Sequence, residues 1–448
     1  MTPAYRAPND HTHEGLVVND SVAFVGSVNA RLLAGPVYES RAETFVQHEA
    51  RLGPLGVDRS SPHRLRSLIG SARLVGRGGG EFPLSTKLDA ATNAGATPLV
   101  VVNASEGEPA SKKDAALLQL RPHLVLDGAE VVAMSVGSSD VTIYVHGGRP
   151  ELSRCIGQAI RERNVSGDGA VTFRIVEGPS RYVAGEAGAV VSLLERGVAL
   201  PRRKSVPLAV AGIAGQPTIV SNTETYAHAA LIVRFGSKWF REAGSVDTPG
   251  STLLTIAGSV PTPGVVIEIL HPVTLGSILA RVGEVSRRPR AVLLGGYAGV
   301  WIDGATALLA LIDRHWLRQV GAPLGCGVVG VLGDGLCGLA ETARILDWMA
   351  GESSGQCGPC VTGLPAMAEI MFELADGRAS ARDVVTLQRL AVDVRGRGAC
   401  GHPTGAANLL ESTLDVFSSE IREHLRGRSC EALGIGLPLP HEPIDVSL

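Results

Sequence analysis

Residues 98–109 read PLVVVNASEGEP. A short, continuous apolar run rich in valine, set between a proline and a polar loop, has the pattern of a strand buried on both faces. The polar residues that follow then fall at its carboxyl end. Working outward, PHLVLDGAEVVAMSVG (122–137) has a helical pattern and VTIYVHGG (141–148) reads as a second strand. ELSRCIGQAIRER (151–163) is again helical, and VTFRIVEG (171–178) is a third strand. Strands separated by helices of this length need crossover connections, so residues 62–245 are expected to form an α/β domain around a parallel sheet.

Two further regimes follow. Residues 250–325 contain STLLTIAGSV, a Pro263-Gly264 turn, GVVIEIL, a helix capped by Thr274 and the strand AVLLGG. This order of strand, strand, helix and strand predicts a small β-grasp-like domain. Residues 330–448 are expected to hold a helix bundle and tail, because three apolar stripes recur at helical spacing. They are Leu339, Ala343, Leu346 and Met349; Leu364, Met367, Met371 and Leu374; and Leu410, Leu414, Phe417 and Ile421. A shorter helix is expected near Val384 to Leu390. Residues 1–61 read as an N-terminal helix-turn segment.

Composition narrows the function classes. The 448 residues carry a formal net charge of -3 with 19% charged residues, which gives no electrostatic footprint for nucleic acid. The opening MTPAYRAPNDHTHEGLVV lacks a basic stretch followed by an apolar run, and no apolar stretch is long enough to span a bilayer. A cytoplasmic protein without direct membrane insertion is expected. Seven cysteines, an odd number, argue for reduced thiols rather than a disulfide scaffold. Cys155, Cys326, Cys337 and Cys430 read as ordinary buried or surface thiols.

Four loops in the α/β region are candidate ligand contacts. GRGGGEFP (76–83) lets backbone N–H groups turn toward an anion or planar group, with Arg77 and Lys87 adding positive charge beside a phosphate. No G-K-[ST] closes it, and Glu81 stands where a dinucleotide fingerprint needs glycine. NASEGEP (103–109) puts Asn103, Glu106 and Glu108 beyond a strand's carboxyl end, the usual place for ligands in open α/β sheets. YVAGEAGA (182–189) and QPTIVSNTET (216–225) contribute Gly185, Glu186, Asn222 and Thr225. Together these loops describe a cofactor cleft.

The order of these motifs resembles the flavin-carrying, NADH-oxidising subunit of respiratory complex I and its relatives in hydrogenases and formate dehydrogenases. GRGGGEFP looks like that family's GRGGAGFP, NASEGEP like N-A-D-E-S-E-P, AGEA like C-G-E-E, and PTIVSNTET like P-T-x-x-N-N-V-E-T. GSVPTPGVV through AVLLGG resembles the soluble-ligand-binding β-grasp domain, and ESSGQCGPC with ACGHPTG resembles the cluster-binding bundle. The resemblance implies a Rossmann-like FMN domain, a β-grasp domain and an iron–sulfur helix bundle. It also implies electron transfer from a pyridine nucleotide, NAD(H), or from a ferredoxin, through FMN and the cluster to a redox partner. Gly76, Arg77, Gly78, Gly79, Phe82, Lys87, Asn103, Glu106, Gly185, Glu186, Asn222 and Thr225 are the implied cofactor contacts, and Glu108 is the implied catalytic glutamate beside the nicotinamide.

Two departures from the family pattern carry expectations of their own. After Lys87 the family reads W-S-F where this chain has Leu88, Asp89 and Ala90, and Val206 replaces a frequent phenylalanine. Loss of two stacking rings at roughly 0.5–1.5 kcal/mol each predicts weak or altered use of NADH. In the cluster motif E-S-C-G-Q-C-x-P-C, Ser354 replaces the first cysteine, while Cys357, Cys360 and Cys400 match the other three. Open outcomes are a 4Fe-4S cubane with Ser354 or water on one iron, a 3Fe-4S cluster, a three-ligand zinc site, or no metal. His402 is either a substitute ligand or a solvated loop residue. Electrons leaving the cluster need a ferredoxin, another redox subunit or a membrane-bound reductase, to which the chain would be peripheral. The competing class is a non-catalytic accessory subunit that keeps the fold, with flavin only or no cofactor.

Overall fold

The computed structural model describes residues 15–18, 23–26, 30–37, 42–56, 61–167, 171–203, 205–283, 288–430 and 436–440. The opening residues 1–14 and the last residues 441–448, which the sequence assigns to the entry segment and the tail, lie outside them. The α/β part is a four-stranded parallel sheet in the order Thr172–Glu177, Asp140–Val145, Leu99–Ala104, Thr218–Asn222. The quoted valines form its interior, with Val100, Val101 and Val102 fully buried. Helices Lys113–Leu120, Pro122–Ser135 and Pro150–Ser166 make the expected crossovers. The chain runs outward from Leu99–Ala104 to one edge and then returns to that strand's other side with Thr218–Asn222. The topological switch therefore falls between these two strands, with Asn103 paired in register with Asn222 at their carboxyl ends.

The second sheet has seven strands in the order Gly15–Val18, Ala23–Gly26, Val265–Ile269, Thr252–Gly258, Val328–Leu332, Ala291–Leu294, Val300–Asp303. Val328–Leu332 lies parallel to Thr252–Gly258 at the centre of the sheet, so the β-grasp unit continues past the expected boundary at 325. Helix Leu275–Arg281 is capped by the Thr274 hydroxyl as read, and it buries Leu275, Ile278 and Leu279. The N-terminal segment departs from the helix-turn expectation. Its hairpin Gly15–Val18/Ala23–Gly26 extends this sheet by pairing with Val265–Ile269, far along the chain, a register no local pattern encodes. Its helix, Phe45–Leu52, is present and carries a Thr44/Gln47 capping box.

Helices Gly338–Gly351, Leu364–Ala375, Ala381–Val394, His402–Val416 and Ser418–His424 form the bundle. The three predicted stripes are its core, and every residue in them is buried. The helix expected near Val384 to Leu390 is longer at both ends, started by a Ser380/Asp383 capping box. Among the described residues no helix is long and apolar enough to cross a membrane.

Candidate functional site

The switch point opens into a cavity of about 660 Å³. Its walls come from the four loops of the α/β unit, from Gly295, Pro323, Gly325 and Cys326 of the second unit, and from Cys400 and His402 of the bundle. Three sequence regions thus meet at one cleft.

The glycine loop closes on itself, the Gly76 N–H donating to the Phe82 carbonyl at 2.9 Å. A Cβ on Gly78 would stand 3.1 Å from the Asn222 Cβ, and Gly79, at φ +98°, faces the Gly325 carbonyl carbon. A side chain would crowd Asn222 at Gly78 and strain the backbone at Gly79, and the glycines leave bare backbone against the cleft. Arg77 corrects the expectation of a phosphate contact. Its guanidinium points away into the protein, donating to the Pro249 carbonyl at 2.7 Å and to Thr252 Oγ1 at 3.3 Å. Thr225 is likewise behind the loop, its hydroxyl accepting the Arg77 N–H at 2.9 Å, so neither residue lines the cavity. Glu81 adopts φ +47°, where the family has glycine, and its carboxylate pairs with Arg314 at 2.9 Å and also with Arg318.

Positive charge comes from two lysines. Lys87 Nζ donates to the Val220 carbonyl at 2.9 Å, and burial pulls its ammonium down to about 8. Lys113, which sequence reading passed over, lines the cavity within 3.1 Å of Glu224 and 2.8 Å of Asp114. Burial opposes its charge, but these carboxylates hold the ammonium protonated. The signal available in the sequence was the charged KKD placed directly between the polar loop NASEGEPAS and the apolar run AALLQL.

The carboxylates divide sharply. Glu106 lines the cleft, yet it accepts the N–H groups of Asp114 and Ala115, each at 3.0 Å, and the Ser111 hydroxyl, so it caps helix Lys113–Leu120. Glu186 similarly caps helix Ala187–Arg196 through the N–H groups of Gly188 and Ala189. Asn222 caps Thr223–Arg241, and Asn103 Nδ2 donates to the Gly185 carbonyl at 2.8 Å, tying two of the loops together. Glu108 differs from all of these. It is 6% exposed, Oε2 accepts the Tyr297 N–H at 3.0 Å, and Oε1 has no partner of hydrogen-bonding geometry. Burial pushes its acid up to about 7 despite the backbone donors beside it.

On the nicotinamide side Phe82 stands 49% exposed on the cavity wall. Leu88, Ala90 and Val206 are not on that wall. Leu88 is on the buried face of helix Leu84–Thr92, and Val206 is 48% exposed elsewhere, so none of these positions lines the cavity and their lost rings no longer argue for weak use of NADH.

The thiol loop adjoins the cleft. Tyr182, a second residue passed over, donates its N–H to Glu352 Oε2, and Arg181 bonds the carbonyls of Gly351 and Ser353. The loop that lines the cavity is thereby docked on the stretch of chain leading to Cys357. Cys360 is buried, and its thiol is pushed up to about 12 by burial, with Cys357 and Cys400 close enough to raise it further. Ser354 Oγ accepts the Gln356 side-chain amide at 3.3 Å. His402 is not solvated as one alternative had it. It is buried at the start of helix His402–Val416, with Nε2 bonded to the Met349 carbonyl at 2.8 Å and Nδ1 unpartnered.

The donor set fits the two groups implied by these motifs. Bare backbone, the half-buried Lys87, the buried Lys113 and unpartnered Glu108 Oε1 and Ser105 Oγ suit a flavin phosphate and its polar ring edge. Three thiols in electrostatic contact suit an iron–sulfur cluster at three positions.

Comparison with known proteins agrees. Residues 69–230 match the family model described as the Nuo51 FMN-binding domain, and residues 335–424 match the NADH-ubiquinone oxidoreductase-F iron-sulfur binding region. The chain is 29% identical over 406 residues to the NADH-quinone oxidoreductase F subunit of Streptomyces coelicolor, covering 87% of this chain and 89% of that one. It is 30% identical over 387 residues to the NADH-quinone oxidoreductase F 2 subunit of Rhizobium meliloti, covering 83% and 90%. Among solved structures, an NAD+-reducing [NiFe]-hydrogenase in the H2-reduced state matches with TM-score 0.75 and 26% identity over 83% of this chain. The match spans 64% of that hydrogenase chain, just under two thirds of its length. With both family regions matching where the cleft and the thiol loop lie, and a 30% identical relative covered over 90% of its length, the chain belongs to the family of the F subunit of NADH-quinone oxidoreductase.

Proposed function

We propose that this chain is the electron-input subunit of a multi-subunit oxidoreductase, taking electrons from NADH in the cleft and passing them through the thiol loop to a redox partner. The observation that carries the reading is the meeting of glycine loop, Glu108 and Cys400 on one cavity. FMN, when bound, supplies two-electron chemistry toward a nicotinamide and one-electron chemistry toward an iron–sulfur cluster. Gly76, Gly78 and Gly79 would face it with main chain, and Lys87 and Lys113 would balance its phosphate. Asn103, Gly185 and Asn222 would hold the facing loops in place. Glu108 would sit beside the nicotinamide as a buried acid able to hold or release a proton near neutral pH. Cys357, Cys360 and Cys400 would hold the cluster, with Ser354 at the fourth position.

Outflow is proposed to a ferredoxin-class carrier or a reductase, and the seven thiols, none in a disulfide, fit a reducing compartment. The accessory-subunit reading keeps Ser354 as its support but loses Ala90 and Val206, which stand off the cavity wall. Anaerobically purified protein tests the proposal. Stoichiometric FMN, a multi-iron EPR signal after dithionite and rapid bleaching of flavin absorbance by micromolar NADH are expected. Protein lacking both flavin and iron would overturn it.

A further inference from the structure

The bundle holds a second set of metal-capable side chains, none of which lines the cleft. Cys337, His424 and Cys430 place two sulfurs and an imidazole nitrogen within 4.8 Å of one another, a metal-capable grouping among the described residues. His424 Nε2 lies 3.2 Å from Cys430 Sγ and 3.9 Å from Cys337 Sγ. A tetrahedral ion bound at about 2.0–2.3 Å has ligand-to-ligand edges of roughly 3.3–3.8 Å, so these separations are close to those a single ion would impose. Two sulfurs with an imidazole match the ligand preference of zinc.

The surroundings are those of a prepared site. His424 Nδ1 donates to the Leu374 carbonyl at 3.0 Å, which fixes the tautomer and turns the Nε2 lone pair toward the sulfurs; without an ion it accepts the Cys430 N–H at 3.2 Å, a bond that the metal would replace. Cys337 is the N-cap of helix Gly338–Gly351, its sulfur accepting the Ala340 N–H at 3.5 Å, an arrangement that favours a thiolate. Glu420 sits one helical turn before His424 on the same face, with Oε2 3.7 Å from Cys337 Sγ and 4.0 Å from Cys430 Sγ. Its other oxygen pairs with Arg290. One divalent ion, two thiolates, this carboxylate and Arg290 sum to zero charge, which offsets the cost of burying each alone.

We propose that Cys337, Cys430 and His424 bind one structural zinc ion, with its fourth position on the Glu420 side, pinning the chain's C-terminal segment to the start of the first bundle helix. Binding releases the two thiol protons to solvent and changes no oxidation state. The residues that follow support this placement, since the Leu437 N–H donates to Glu341 Oε1 on that same helix at 2.7 Å.

The test is elemental analysis of full-length protein after gel filtration, beside its iron content. About one zinc per chain is expected, lost in Cys430→Ser and in His424→Gln but kept in Cys155→Ser, with iron unchanged in all. To separate ligand loss from misfolding, wild-type protein stripped by a chelator is titrated with cobalt(II). An intense tetrahedral ligand-field spectrum of one equivalent, displaced by zinc, is expected. Absence of zinc together with no such spectrum would overturn the proposal, as would a Cys337–Cys430 disulfide found by mass spectrometry in protein kept reduced.

Discussion

Replacing Glu108 by glutamine separates a buried acid that works near neutral pH from a merely structural one. Native Glu108 keeps its proton to about pH 7, against 4.5 for an unperturbed glutamic acid, because burial disfavours the anion. Between those two values the native state binds more protons than the unfolded chain, so stability falls as pH rises from 4.5 to about 7. The whole loss is about 3 kcal/mol for this group. Glutamine keeps an oxygen to accept the Tyr297 N–H and cannot ionise. The stability of Glu108→Gln relative to the wild type is therefore expected to grow by about 3 kcal/mol between roughly pH 4 and pH 8, measured from urea unfolding profiles across pH. All other titrating groups are common to both proteins and cancel. In parallel, a titration near pH 7 in kcat/KM for NADH should vanish in the variant. Parallel stability profiles with an unchanged pH–rate curve would refute the reasoning.

Three further outcomes are expected. Gly79→Ala puts a Cβ at φ +98° against Gly325, and strain of roughly 1–3 kcal/mol should weaken FMN binding at least several-fold in a fluorescence titration; unaltered affinity would mean the loop does not cradle the flavin. Arg77→Met strands the buried Pro249 carbonyl and should cost roughly 2–4 kcal/mol in unfolding while changing flavin affinity less than about threefold, whereas the reverse pattern would put the guanidinium back on the phosphate. Ser354→Cys should raise iron per chain toward about four and shift the cluster's midpoint potential upward in an EPR-monitored titration, because thiolate is a softer iron ligand than serine oxygen; an identical spectrum would mean position 354 does not ligate iron.

Much of the fold was legible because its signals are local. The valine run, the crossover helices and the bundle stripes each declare themselves over short windows by period and burial. The cleft was legible for the same reason, since a strand ending in NASEGEP locates its own loop relative to the sheet. Direction was harder to read. Arg77 sits in the glycine loop as expected, yet nothing in GRGGGEFP tells whether its side chain leaves with the ligand or with Pro249 and Thr252, 172 and 175 residues away. Glu106 and Glu108 are near neighbours and look alike in sequence, but one caps a helix and the other is left with an unpartnered oxygen. Cys337 and Cys430 each read as bland for want of a neighbour, because their pairing depends on how the first and last bundle helices meet.

The two clearest departures from the family pattern are treated differently by the surrounding structure. At position 81 a side chain in the left-handed region costs on the order of 1 kcal/mol, and the protein has built around it: the carboxylate is held by Arg314 and Arg318 on one short helix of the second unit. That ion pairing also anchors the flavin loop to the neighbouring domain, so the substitution is integrated. At position 354 the hydroxyl has one long bond from the Gln356 amide, and among the described residues no comparable ion pairing has grown up around it to favour an alkoxide. A chain that had abandoned redox work would be expected to lose the residues of its cleft that match the family pattern first, namely the glycine loop, Lys87 and Glu108. All three are kept. Retention of the cleft beside an unsupported serine is why iron content and the Ser354→Cys comparison decide between a cluster altered at one iron and a relay discarded.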